Sequence, residues 1–319
     1  MDRRAFLKAL AGSTAVHELG MRDQDVEPTG VIDAHIHLFD PSRKQGVPWP
    51  DKSEAVLYQP ALPPRYEQIA RPHGVVGAIA VECSPWLADN DWLAELVERS
   101  PTMLGFVGNL QPESPGFRAD LDRLHRNPRF LGIRCGNLWG RDLHAAIENV
   151  AFVEGLRILS DHELVLETAN QDAPLIEAAL RISDRVPSLR IVLDHLPNAS
   201  MPVDKNERAR VDANLRELAQ RPQIYAKGSE IVHRVRGRLP LNASAYRETL
   251  DRIWNLFGED RILYGSDWPN SDTVASYAQL FSVARAYLQT RSKNAQLKFF
   301  RNNSRAVYRW TARTPEQAG

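Results

Sequence analysis

Two histidines spaced i and i+2, His35 and His37, close an apolar run that begins at Val31. Side chains two apart on a strand project to one face, so His35 and His37, with Asp33 two residues earlier, are expected to converge on a shared ligand. A third imidazole, His195, ends the run Ile191-Val192-Leu193-Asp194, and a carboxylate, Asp267, follows Ile262-Leu263-Tyr264-Gly265-Ser266. Three imidazoles and one carboxylate suit a borderline divalent ion such as Zn²⁺, with a position left over for water. Such an ion lowers the pKa of its water to about 7 and polarises a carbonyl. Asp267 would then serve both as ligand and as acceptor of the water's proton. An aspartate after an apolar strand is ordinarily a helix cap or a turn residue. Its meaning changes when His35, His37 and His195 hold equivalent positions, and the expected catalytic pair is Asp267 and His195.

These residues are far apart in the chain, so the elements must bring them together. From Val31 onward, short runs of Val, Ile and Leu alternate with longer amphipathic stretches, the pattern of repeated βα units. The strand candidates are 31–37, 75–82, 104–109, 130–135, 163–168, 190–194, 223–228 and 261–265. Eight is the number a closed barrel uses. The stretches between them, such as 91–98 and 172–185, repeat apolar residues at i, i+3 and i+4 and read as helices. The fold class predicted is therefore α/β, a single-domain (β/α)₈ barrel over residues 30–312, with an arm at 1–29 and a tail at 313–319. Such barrels hold their active sites at the C-terminal ends of the strands. There the eighth strand meets the first, which would carry Asp267 to His35 and His37.

The loop from Phe39 to about Leu62 is long and rich in proline, with Pro41, Pro48, Pro50 and Pro60 around Trp49. Long loops of this kind are often functional, and this one is expected to fold over the barrel mouth. The 319 residues carry 40 Lys plus Arg against 40 Asp plus Glu, so no net charge draws the chain to nucleic acid or an anionic membrane. A small-molecule substrate fits better, and a homo-oligomer is compatible with the sequence. Two cysteines, Cys83 and Cys135, exclude a disulfide framework and a Cys-rich zinc site. The segment Asp2-Arg3-Arg4-Ala5-Phe6-Leu7-Lys8 resembles a twin-arginine export signal, but the apolar run after it is short and His17 and Glu18 interrupt it. Periplasmic export and a cytoplasmic basic arm both remain open. No run approaches the roughly 18 apolar residues of a transmembrane helix.

Three segments, 32–37 (Ile-Asp-Ala-His-Ile-His), 193–196 (Leu-Asp-His-Leu) and 263–269 (Leu-Tyr-Gly-Ser-Asp-Trp-Pro), resemble the amidohydrolase family, in particular its branch of sugar lactonases and 2-pyrone-4,6-dicarboxylate lactonase. Residues 81–86, 130–134 and 302–308 are also similar to that family, so the likeness spans roughly 31–310. It implies hydrolysis of a lactone or related ester by water that Asp267 activates. Basic residues on other strand ends would hold the substrate, and Arg134 and Lys227 are the candidates, with Glu82 and Glu167 as substrate contacts or as their ion-pair partners. Mononuclear members usually take a metal-ligating His from the fifth strand, where this chain has Glu167, and no Lys on the fourth strand can bridge two metals. The resemblance therefore implies at most one divalent metal, zinc by its ligands, or none. In the metal-free case His35, His37 and His195 would donate hydrogen bonds to the oxyanion. Trp49, Trp86, Trp139 and Trp268 are candidates for stacking on a sugar ring or excluding water, Trp268 being taken as a substrate contact, and His233 is a candidate substrate contact. His17, His73, His125, His144 and His162 read as surface groups. The alternatives are a metal-dependent decarboxylase of an aromatic or unsaturated acid and a binding protein that has kept the barrel.

Overall fold

The computed structural model describes residues 30–169 and 172–319. The twin-arginine-like segment and the rest of the expected arm, His17 included, lie outside the described residues. The eight apolar runs form eight strands: β1 (Val31–Ile36), β2 (Val75–Val81), β3 (Met103–Gly108), β4 (Phe130–Arg134), β5 (Val165–Thr168), β6 (Arg190–Leu193), β7 (Ile224–Gly228) and β8 (Ile262–Tyr264). They pair in parallel and in chain order, β1 through β8. After each strand comes a covering helix, in turn α1 (Pro63–Ala70), α2 (Asp89–Arg99), α3 (Phe117–His125), α4 (Val150–Asp161), α5 (Ala173–Arg185), α6 (Lys205–Gln220), α7 (Arg247–Phe257) and α8 (Tyr277–Leu288). This is the (β/α)₈ barrel that the alternation predicts.

Local chemistry starts the helices. Asp172 accepts from Leu175 N to cap α5, with Pro174 in its first turn, and α5 turns Leu175, Ile176, Ala179 and Ile182 inward. Asp204 caps α6 by accepting from Asn206 N and Glu207 N, and Ser276 and Gln279 form a reciprocal capping box on α8. Each such cap stabilises its helix by about 1 kcal/mol. Inside the ring, Ile32, Ile79, Leu104, Leu131, Val165, Val192 and Leu263 form one buried cluster with Val307, Tyr308 and Trp310, which come from the chain after the last strand. Residues 313–319 also dock: Arg313 donates to the carbonyls of Ser100 and Met103, and buried Gln317 donates to those of Val76 and Pro101. Among the described residues no helix is long and apolar enough to cross a membrane.

The ring closes between β1 and the chain just beyond β8. His37 N donates to Trp268 O at 2.7 Å and Asp267 N donates to His35 O at 2.9 Å. Two backbone bonds thus fix the histidine pair against Asp267. Asp33 departs from expectation. The β1–β2 register shifts between Asp33 and Ile36, which breaks the simple two-residue alternation. Its carboxylate turns to the helical layer, accepting from Tyr66 Oη at 2.9 Å, Tyr277 Oη at 3.2 Å and Ser266 N at 2.8 Å. The loop between β1 and α1 is cinched at its base by paired bonds between Phe39 and Ala61. It lays Trp49 edge-on to His37, with ring centroids 6.0 Å apart.

Candidate active site

At the C-terminal rim, Asp267 Oδ1 lies 3.5 Å from His35 Nε2, 3.2 Å from His37 Nε2 and 4.0 Å from His195 Nε2. The Nε2 atoms of His35 and His37 are 3.3 Å apart. Asp267 Oδ2 accepts from Asn270 Nδ2 at 2.7 Å. Oδ1 is buried and, among the described residues, receives no hydrogen bond of good geometry. His37 Nδ1 lies 3.0 Å from the Val81 carbonyl, which can only accept, so the neutral ring carries its proton there. Its Nε2 lone pair then faces a carboxylate oxygen, and a positive species must stand between them, either a proton or a metal ion. Tetrahedral zinc with bonds of about 2.0–2.1 Å sets its ligand atoms about 3.3 Å apart, which the shorter separations here match. His35, His37, His195 and Asp267 therefore suit a divalent ion.

The electrostatics disfavour a charge on His35 and His195. Burial, reinforced by the positive charge of Lys227, lowers the His35 pKa well below its ordinary value, and burial also lowers that of His195. Burial by itself would raise the Asp267 carboxyl, but His195, His37 and the Asn270 hydrogen bond outweigh it and hold the group at about 2. The rim thus presents the Asp267 carboxylate beside two rings, His35 and His195, whose charged forms are disfavoured.

Lys227 and Glu167, expected on the substrate side, lie beneath His35 instead. Both are fully buried, with Lys227 Nζ 2.9 Å from Glu167 Oε2, 2.9 Å from Asp194 Oδ1 and 3.0 Å from His35 Nδ1. Each sits two residues above a lower inward position of its strand, so the alternation aims it at the barrel axis. Glu167 also accepts from the Tyr308 hydroxyl. Burial, with the Glu167 charge, raises the Asp194 pKa well above its ordinary value against the pull of Lys227. With Asp194 favoured in its protonated form, the Lys227–Glu167 ion pair leaves the cluster close to neutral. His35, Glu167 and Asp194 also lie within metal-binding reach of one another, but the Lys227 ammonium fills the space between them.

Arg134 stands where a substrate can meet it, whereas Glu82 lies behind it as its partner and faces the neighbouring crevice. Arg134 Nε donates to Glu82 Oε1 at 2.9 Å and Nη2 to the Glu82 carbonyl at 2.6 Å. Burial opposes the Arg134 charge, but Glu82, Asp194 and Glu167 more than restore it, and the pKa is raised. Arg134, Trp49 and Trp139 border a cavity of about 180 Å³ with His37, His195 and Asp267. Trp268 does not reach it. Fully buried, it packs on Tyr66 at 5.4 Å with Arg65 over its ring, because alternation after Asp267 turns it to the outer layer. Trp86 lies over a neighbouring crevice beside Cys83 and Asn90.

Sequence reasoning passed over Glu230 and Asn270, which line the same cavity. Glu230 Oε1 is 3.7 Å from His195 Nδ1, and Oε2 accepts from Asn198 Nδ2 at 2.6 Å. Ser229 Oγ, 2.9 Å from His195 Nδ1, fixes that ring. A signal was available: Glu230 follows β7 as His195 follows β6. His195 (φ 50°), Glu230 (φ 50°), Asp267 (φ 61°) and Trp139 (φ 59°) all adopt left-handed backbone. Such strain persists where surrounding structure enforces it and clusters at functional sites.

Gly265 is required by close approach. A Cβ there would stand 2.7 Å from His35 Cβ and 3.3 Å from Lys227 Cδ. Gly265→Ala is expected to displace His35, costing about 1–3 kcal/mol in denaturant unfolding together with a loss of whatever turnover the site supports. Unchanged stability would show that the strand yields there.

The sequence profile of the amidohydrolase family matches residues 32–310. The chain is 28% identical over 244 residues to an L-fucono-1,5-lactonase of Burkholderia ambifaria, covering 75% of this chain and 80% of that protein. It is 27% identical over 273 residues to an L-fucono-1,5-lactonase of Burkholderia multivorans, covering 83% and 90%. In fold it resembles a zinc-bound amidohydrolase from Burkholderia multivorans, with a TM-score of 0.76 and 22% identity over 88% of this chain and 99% of that one.

Proposed function

The chain belongs to the amidohydrolase family, and on that premise we propose that it is a hydrolase that opens a lactone ring. The observation that carries this is the bare Oδ1 of Asp267 at the cavity floor, ringed by three imidazole nitrogens. Water attacks the lactone carbonyl as Asp267 Oδ1 takes its proton. The bond from the carbonyl carbon to the ring oxygen then breaks, and the proton passes to that oxygen, leaving a hydroxy acid. The match to two L-fucono-1,5-lactonases over most of their length supports a sugar lactone as the substrate class. Arg134, its charge matched by Glu82, orients the substrate by hydrogen bonds, a pairing that suits a neutral lactone better than the free carboxylate a decarboxylase must hold.

We propose zinc for the divalent ion, held by His37, His195 and Asp267 with His35. When bound, it would polarise the carbonyl and lower the pKa of water. His35 distinguishes two modes. While Lys227 donates to Nδ1, the ring proton sits on Nε2 and His35 donates to the oxyanion; as a ligand, His35 must carry that proton on Nδ1, towards Asp194.

The test is purified protein incubated with sugar lactones and dicarboxylate lactones, with proton release as the readout. Hydrolysis of at least one sugar lactone is expected; inactivity on all of them with carbon dioxide released from benzoate-type acids would replace the proposal by the decarboxylase. Zinc is tested separately by binding. Added to chelator-treated protein at a hundredfold excess over its dissociation constant, it should stabilise the fold by about 2.7 kcal/mol. A His37→Asn, Asp267→Asn double variant should show no such gain, and an equal gain in both would place the ion elsewhere.

A further inference from the structure

The three imidazoles at the rim differ in what their Nδ1 atoms touch. His37 Nδ1 faces the Val81 carbonyl at 3.0 Å, which can only accept, so that ring carries its proton on Nδ1. His35 Nδ1 faces the Lys227 ammonium at 3.0 Å, which can only donate and so favours the proton on Nε2. His195 Nδ1 faces the Ser229 hydroxyl at 2.9 Å, which can do either. Two rings thus have their proton placed by a one-way partner, and the third does not.

The buried Ser229 hydroxyl also accepts from the His195 backbone N–H at 3.2 Å, which occupies one of its lone pairs. Two arrangements remain. In one, the hydroxyl donates to Nδ1 and the His195 proton lies on Nε2; in the other, Nδ1–H donates to the second lone pair and Nε2 is bare. Glu230 tells them apart, because its Oε1 lies 3.7 Å from Nδ1. Against a bare Nδ1 that oxygen sets acceptor on acceptor, whereas against Nδ1–H it faces a positive hydrogen. Glu230 is held there: Oε2 accepts from Asn198 Nδ2 at 2.6 Å, and Asn198 N donates at 2.9 Å to the carbonyl of His195 itself. His195 and Glu230 both keep a left-handed backbone, φ 50°, which persists only where surrounding structure enforces it.

We propose that Glu230 is a positioning residue for His195: it holds the ring proton on Nδ1, so that Nε2 turns a bare lone pair towards the centre that His37 Nε2 and Asp267 Oδ1 also face. A histidine that ligates a metal commonly donates its other N–H to a carboxylate or similar acceptor, and loss of such a partner lowers metal affinity about 10–100-fold. The proposal rests on the divalent-ion reading for the use made of that lone pair. The position of the proton is a property of the chain alone.

The test has two readouts. Nitrogen NMR of chelator-treated full-length protein, labelled at the histidine ring nitrogens and assigned with a His195→Gln variant, reports which nitrogen of His195 carries the proton. It is expected on Nδ1 in the parent and in Ser229→Ala, and on Nε2 in Glu230→Gln, whose amide oxygen keeps the Asn198 bond and so sets an N–H donor against Nδ1. Zinc titration of the same proteins should give a dissociation constant about 10–100-fold higher for Glu230→Gln than for the parent. A merely structural role would lower the melting temperature without moving the proton. Should Glu230→Gln fail to fold, Asn198→Ala, which releases Oε2, should move both readouts the same way by less. A parent proton on Nε2 overturns the proposal, as does a proton that stays on Nδ1 in Glu230→Gln, or equal zinc affinity in parent and variant. If the proton moves but the parent binds no zinc, the positioning role stands and the ion reading falls. If both proteins bind zinc alike, the ion reading stands without Glu230.

Discussion

Asp267→Asn is expected to fold as the parent does and to lose about 10²–10⁴-fold in kcat on the lactone substrate. The substitution is nearly isosteric. The Asn carbonyl oxygen can still accept from Asn270 Nδ2, the contact now made by Oδ2 at 2.7 Å, and the backbone bond from Asp267 N to His35 O is untouched. What changes is the atom at Oδ1, which becomes an amide nitrogen unable to take a proton from water. The loss should appear in kcat with KM little altered, because the interaction removed belongs to the transition state. Steady-state kinetics beside a thermal melt check this. Near-normal turnover by a folded variant would move the base elsewhere, and Glu230 is the next carboxylate on the cavity wall.

Lys227→Met is expected to be the most destabilising single change in the barrel interior. It would strand Glu167 and Asp194 beside one another with no solvent access, and breaking a buried pair from one side costs about 3–5 kcal/mol. Chemical denaturation should show that loss. The double variant Lys227→Met, Glu167→Gln should recover part of it, because the excess charge has gone while the Tyr308 hydroxyl can still donate to the amide oxygen. Equal stability of single and double variants would mean that the lysine supports the barrel by packing alone. The single variant should also lose turnover in whatever fraction remains folded, since His35 would lose the donor that places its ring proton.

Much of the fold was legible in the chain because it is written locally. Strand runs of Val, Ile and Leu, proline and aspartate at helix starts, and the alternation of the two patterns each report on a few neighbouring residues. The observed strands begin or end within two residues of those expected. The convergence of His35, His37, His195 and Asp267 was legible for a related reason. Each lies at or just beyond the end of a strand, and a closed parallel barrel puts every such end on one rim. Glu230 obeys the same rule and could have been read; it was passed over because no partner at fixed spacing marked it.

The chain by itself determined the barrel, its rim and the four residues that meet there, since these follow from hydrophobic period and chain order. Only the tertiary structure decided which face each neighbouring side chain takes. Asp33 turned outward at a register shift, Trp268 into the outer layer, and Lys227 and Glu167 beneath His35 rather than towards substrate. The depth of a residue in a barrel, and the partner that neutralises its charge there, depend on strands that are remote in sequence. Burial energy and ion pairing act on those distances in space, which no local pattern encodes.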